Sequence, residues 1–225
     1  STPQINTPHS RRKVTLADYD WADLIDQEDK VRMLISPTSE YAKAGAYAMG
    51  RAMDDAIIAA ASGNAFTGVA GATSSALPAG QKIAVGTTSL TVAKLIAAKE
   101  IIDAADVDPD ETKYLVCSAK EITSLLGDDK VTSADYNSVK ALVAGQIDSF
   151  MGFNFIRTER IAAAGGDNLA LAFTQSAIGL ALGKDISTRI SERDDKNYAT
   201  QVFLSMTIGA TRVEDEKVVE IACNV

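Results

Sequence analysis

Asp54 and Asp55 stand side by side in GRAMDDAIIAAASG, residues 50–63, two carboxylates in a run otherwise built mainly from alanine, isoleucine and methionine. Paired carboxylates can hold a cation or divide acid and base roles between them, provided other ligands or proton carriers join them. The partners are scarce. The only histidine is His9, in the polar stretch STPQINTPHS, so a serine or cysteine nucleophile has no histidine base in the core and a multi-histidine metal site within one chain is excluded. A carboxylate-bridged metal pair in a helical bundle needs several acids and a Glu-x-x-His repeat, and the sequence offers none.

Other catalytic patterns fail in the same way. GxxxxGK[ST] does not occur; Gly63, Gly68 and Gly71 lack the following lysine and a preceding strand, and read as a flexible loop. GxSxG is absent as well, which leaves no nucleophile elbow. Cys117 and Cys223 lie far apart, each inside an apolar run (YLVCS, EIACN), and read as buried free thiols in a reducing compartment. No catalytic residue, cofactor or metal is expected. Arg51 sits three residues before Asp54 and four before Asp55, within reach of either on a helix surface, so the reading for the acidic pair is structural ion pairing within the subunit or to a neighbour.

The elements that must position these residues follow from pattern and charge. With 225 residues, 46% hydrophobic and 23% charged, the chain can bury a core of one large domain or two smaller ones. No apolar run approaches the roughly 20 residues that cross a bilayer. A net charge of −8 opposes tight or sequence-reading contact with nucleic acid and leaves only loose, non-specific contact.

After the polar start, RRKVTLADYDWADLIDQEDKVRML predicts a strand over about 12–19 followed by irregular chain. Ser36-Pro37-Thr38-Ser39-Glu40 carries helix-start signals, no proline follows until past Ser62, and Gly63-Asn64 supplies a stop. One long helix of roughly 24 residues, about 36 Å, is expected. On it Ala42, Gly45, Met49, Met53, Ala56 and Ala60 form a small apolar face, and Lys43, Tyr47, Arg51, Asp54 and Ile58 a mixed one.

Residues 63–89 read as a long connection ending in a strand at Gln81–Val85. TVAKLIAAKEIIDAADV predicts a helix capped by Ser89 or Thr91, with Leu95, Ile96, Lys99, Ile102 and Ala105 marking its period. Then come strand YLVCS, helix AKEITSLLGD, helix SADYNSVKALVAG, a turn at Gly152 and strand FNFIRTE, and the rest of the chain is strand-rich. Helices first and strands last predict an α+β fold.

The order of these segments is similar to that of the major capsid proteins of tailed bacteriophages, the Hong Kong 97 capsid fold, and within it the coat proteins of short-tailed phages. The likeness rests on TPHSRRKVTLADYDWADLIDQEDKVRML, YAKAGAYAMGRAMDDAIIAAASG, TSADYNSVKALVAGQIDSFMGFNFIRTE, LALAFTQSAIGLAL and IGATRVEDEKVVEI, which span most of the chain. The resemblance implies a returning strand of an extended loop and entry to the peripheral domain over 1–35. It implies a peripheral domain with the spine helix (about 38–63) over 36–89, an axial domain over 90–199, and closing peripheral strands over 200–225. The family has an N-terminal arm and an outgoing loop strand before this point, so maturation cleavage is one expectation for a chain that starts at Ser1.

By the same resemblance the protein is a structural subunit that self-assembles, as pentamers and hexamers of itself, into an icosahedral shell around double-stranded DNA. It would be assembled in the host cytoplasm, with scaffolding, portal or decoration proteins as further partners and no membrane contact. Arg11, Arg12, Lys13 and Trp21 suit a contact between subunits, because Arg and Trp are favoured anchors and shells arise from heterologous contacts. Arg51, Asp54 and Asp55 are the expected ion-pairing group of the spine helix. Two other readings stay open: an encapsulin-type compartment with enclosed cargo, and a carboxylate metalloenzyme.

Overall fold

The computed structural model describes residues 10–32, 37–127, 149–161, 163–164 and 167–224. His9, Ser36 and the helix expected at SADYNSVKALVAG lie outside them. In chain order the strands and helices are β1 Arg12–Lys13, β2 Ala17–Ile25, α1 Gln27–Arg32, α2 Pro37–Ser62, β3 Ala65–Thr67, β4 Thr73–Ser75, β5 Lys82–Ile83, α3 Val92–Asp103, β6 Lys113–Cys117, α4 Ala119–Leu126, β7 Ser149–Phe150, β8 Phe153–Arg157, β9 Ala163–Ala164, β10 Asp167–Thr174, β11 Ile178–Arg193, β12 Ala199–Arg212 and β13 Val218–Asn224. The chain forms two compact units: one from 1–13, 58–179 and 211–225, the other from 14–57 and 180–210. The division between Gly179 and Leu180 falls inside the segment 90–199 that the resemblance assigns to the axial domain, and β13 belongs with the first unit.

The second unit contains residues 37–57 of α2 and a sheet ordered β11-β12-β2. β2 pairs antiparallel with β12, Trp21 opposite Leu204 and Tyr19 opposite Met206. It extends six residues past the expected strand end, and a short helix follows where irregular chain was expected. The reason is the alternation itself: Tyr19, Trp21 and Ile25 face inward with Val202, Leu204, Met206 and Ile208 of β12, onto Met49, Met53 and Ala56 of α2. The four β12 side chains are at most 1% exposed, and each contributes about 1.5–3 kcal/mol by leaving water.

Gly45 makes this close packing possible. A Cβ there would lie 2.6 Å from Leu204 Cδ1 and 2.8 Å from Trp21 Cε3, so the helix backbone takes the space a side chain would need. Ala42, Gly45, Met49, Met53 and Ala56 of the small apolar face therefore contact this sheet, while Lys43, Tyr47, Arg51 and Asp54 are exposed.

In the first unit a seven-stranded mixed sheet runs β5-β13-β10-β6-β8-β7, with β9 on β10. Its central strand β10 reads LALAF because both faces are covered. On one side Ala170 and Ala172 meet Leu95, Ala98 and Ile102 of α3 and Leu125 of α4; on the other Leu171 meets Ala61 at the end of α2 with Ile161 and Val218. Thr91 caps α3 by accepting from Lys94 N (3.4 Å), and Ser118 and Glu121 form a reciprocal capping box on α4. Within α3 the buried positions include Leu95, Ala98 and Ile102, whereas Ile96 is half exposed. The helix stops at Asp103, ahead of the expected Asp108-Pro109 end.

Candidate assembly surface and its anchor

The basic segment starts at β1, which pairs with β3 through Arg12 opposite Thr67 and Lys13 opposite Phe66. Its cations divide. Arg11 and Lys13 are exposed, whereas Arg12 is turned onto its own chain: Nε donates to Val213 O at 2.8 Å and an Nη to Asp215 Oδ2 at 3.2 Å. Trp21 is half-buried against Gly45 and the β12 core, so its ring serves the fold of its own subunit.

Asp215 leads to a residue the sequence reading did not single out. Arg212, at the end of β12, is fully buried, and its Nε donates to Asp215 Oδ1 at 2.5 Å. One terminal nitrogen donates to Ala61 O (3.1 Å) and Gly63 O (2.6 Å), the other to Ser75 O (3.1 Å). Ala61 and Gly63 mark the C-terminus of α2, where carbonyls lack intrahelical partners and the helix dipole is negative, so a cation there satisfies both needs. The planar fork suits several acceptors at once, which lysine's point charge does not.

Ser75 Oγ also donates to Asp215 Oδ2 at 3.3 Å. Burial of Asp215 acts to raise its pKa, but the hydrogen bond and charge of Arg212, with Arg12 beside it, prevail and hold the carboxyl below its ordinary value. One carboxylate thus links the basic strand, the loop after the spine helix and the closing strands. The signal in the sequence was an arginine in the otherwise uncharged run ATQVFLSMTIGATRV with an acid three residues on.

A second buried cation, Lys94, has the same logic. Its ammonium donates to Val85 O (2.9 Å), Thr88 O (2.7 Å) and Ala222 O (2.8 Å), one acceptor for each proton. Loop 85–88 is thereby fixed to α3 and β13.

The acidic pair of the spine helix sits elsewhere. Arg51 and Asp54 are exposed and neither takes part in an ion pair among the described residues; Asp55 is half-buried. Lys43 pairs with Glu40 at 2.9 Å on the same helix. Among the described residues no group of three or more His, Cys, Asp and Glu could hold a metal ion, and no helix is long and apolar enough to cross a membrane. Both cysteines are buried and free, and burial pushes each thiol up to about 12.

Solved structures share this fold: one from Mycobacterium phage Che8 (TM-score 0.71, 19% identity, 91% of this chain and 70% of that one) and the capsid structure of cyanophage P-SCSP1u (TM-score 0.69, 19% identity, 100% and 81%). The SrpI encapsulin of Synechococcus elongatus PCC 7942 also matches, at TM-score 0.58 and 9% identity over 96% of this chain and 76% of that one. No curated protein sequence matches. The fold is the Hong Kong 97-type capsid fold, of class α+β. The family model for phage capsid proteins matches residues 1–225, so this chain belongs to the phage capsid protein family and is a structural subunit of the virion shell.

Proposed function

We propose that the chain builds a closed icosahedral shell of pentamers and hexamers of itself around a double-stranded DNA genome. The supporting observation is the outward face of the spine helix. Tyr47, 69% exposed, stands among Lys43, Arg51 and Asp54, a mixed charged and aromatic stripe suited to a neighbouring subunit. Arg11, just before the basic strand, and Lys13 on it are exposed cations that can reach such a stripe, with Arg12 anchoring the strand to its own subunit. Residues 14–57 with 180–210 correspond best to the peripheral domain, and the seven-stranded sheet with α3 and α4 to the axial domain. An acidic chain suits a wall that contains DNA without gripping it. Assembly in the host cytoplasm and the use of scaffolding, portal or decoration proteins belong to the same proposal.

The test is co-purification from the expressing cell. Particles that carry nucleic acid or stay empty support the virion reading, whereas particles that consistently carry one enclosed enzyme favour the encapsulin-type compartment.

A further inference from the structure

The sheet of the second unit ends in two strands of opposite character. β11 is an edge strand of sixteen residues. From Leu180 onward it is exposed over nearly its whole length, with Leu180 at 40%, Leu182 at 56%, Ile186 at 36% and Ile190 at 52%. A long edge strand whose outer row of backbone groups has no partner strand among the described residues, and which exposes four large apolar side chains, invites another strand. At the other edge, β2 carries Asp18, Asp20 and Asp23 with no cation, while β11 carries Lys184, Arg189 and Arg193 against Asp185 and Glu192. Leu24 on β2 is exposed as well, at 41%.

We propose that the β11 edge of one subunit docks the acidic β2 edge of a second copy of this chain, extending the sheet from subunit to subunit. The proposal rests on the shell reading above. Its occupant is chosen by charge: β2 against β2 places carboxylates together, whereas β11 against β2 pairs Arg189 and its neighbours with Asp20 and its neighbours. The contact is heterologous, with different patches meeting, and so propagates into rings as a shell requires.

Strand direction follows. The five-residue link between β11 and β12 is too short for a parallel crossover, so these strands are antiparallel, as β12 and β2 are. β2 and β11 therefore run the same way within a subunit. When copies keep their spine helices on one side of a continuous sheet, β2 of one runs parallel to β11 of the next.

The experiment uses the full chain with Arg189→Glu, Asp20→Lys, and an equimolar mixture of the two. Lys184 is left alone because it donates to Ser205 in its own sheet at 2.6 Å. Each variant is first checked for a wild-type melting curve by circular dichroism, and assembly is then read by sedimentation velocity. Each variant alone is expected to lose roughly tenfold in the assembled fraction. The mixture is expected to recover it in six-membered rings, where the two variants alternate, whereas a five-membered ring keeps one mismatched pair. The glutamate introduced into β11 of one copy then meets the lysine introduced into β2 of the other, while the native Arg189 of that other copy meets the first copy's native Asp20. Wild-type assembly by either single variant, or no recovery in the mixture, overturns the edge contact. If wild-type chain itself forms no large species, the shell reading fails instead.

Discussion

Arg212 Nε lies 2.5 Å from Asp215 Oδ1, and the same fully buried guanidinium closes the C-terminal carbonyls of the spine helix at Ala61 and Gly63. A cation thus ties a helix end to the last turn before β13, across about 150 residues of sequence.

Replacing Arg212 by Met leaves Asp215 without its main partner and three carbonyls without a donor. A loss of about 3–5 kcal/mol is expected, as for other broken buried pairs. Urea melts of Arg212→Met and Arg12→Ala separate the roles, since Arg12 makes one hydrogen bond to Asp215 and one to the Val213 carbonyl, and its removal is expected to cost less, about 1–2 kcal/mol.

Lys94→Met keeps the length of the side chain and removes its three donors. Val85, Thr88 and Ala222 then lose a buried partner, and about 2–4 kcal/mol of stability goes with it. Hydrogen exchange is expected to show loop 85–88 losing protection while β12 retains it.

Gly45→Val places branched carbons against Leu204 and the Trp21 ring. Overpacking of this kind costs about 1–3 kcal/mol. Indole fluorescence reports the displacement of Trp21, the only tryptophan in the chain; Ala44→Val, one residue away on an exposed position, is expected to leave both stability and fluorescence nearly unchanged.

The long helix was legible because its signals are local: Pro37, an acid in the first turn, no internal proline and Gly63. The order of strands and helices that resembles the capsid family was legible for the same reason. Arg212 and Lys94 were not, since their partners are main-chain carbonyls brought together only by the fold, and a carbonyl leaves no mark on residue type. Trp21 and Arg12 show the opposite difficulty. Their types suit a contact between subunits, and the register of β2 on β12 and the position of Asp215 give each of them, in addition, a partner within its own chain that residue type alone does not reveal.

Acid should loosen the first unit. Burial acts to raise the Glu111 pKa, but hydrogen bonding from Ser176, whose backbone N–H donates to Oε1 at 2.7 Å, and the charge of Lys217 outweigh it and bring it down to about 2. Asp215 is likewise lowered. A carboxyl with a depressed folded-state pKa stabilises fully above its unfolded value of about 4 and loses that contribution as pH falls through the folded one. Thermal melts should therefore be flat with respect to these groups above about pH 5 and fall between roughly pH 4 and 2, and Glu111→Gln should flatten part of that fall.

Whether this chain closes shells by itself is tested most directly by negative-stain microscopy of the purified protein at high concentration. Wild-type protein is predicted to show closed shells or ring-shaped capsomers, and Arg51→Ala fewer of them at unchanged melting temperature. A field of stable monomers under the same conditions would contradict it.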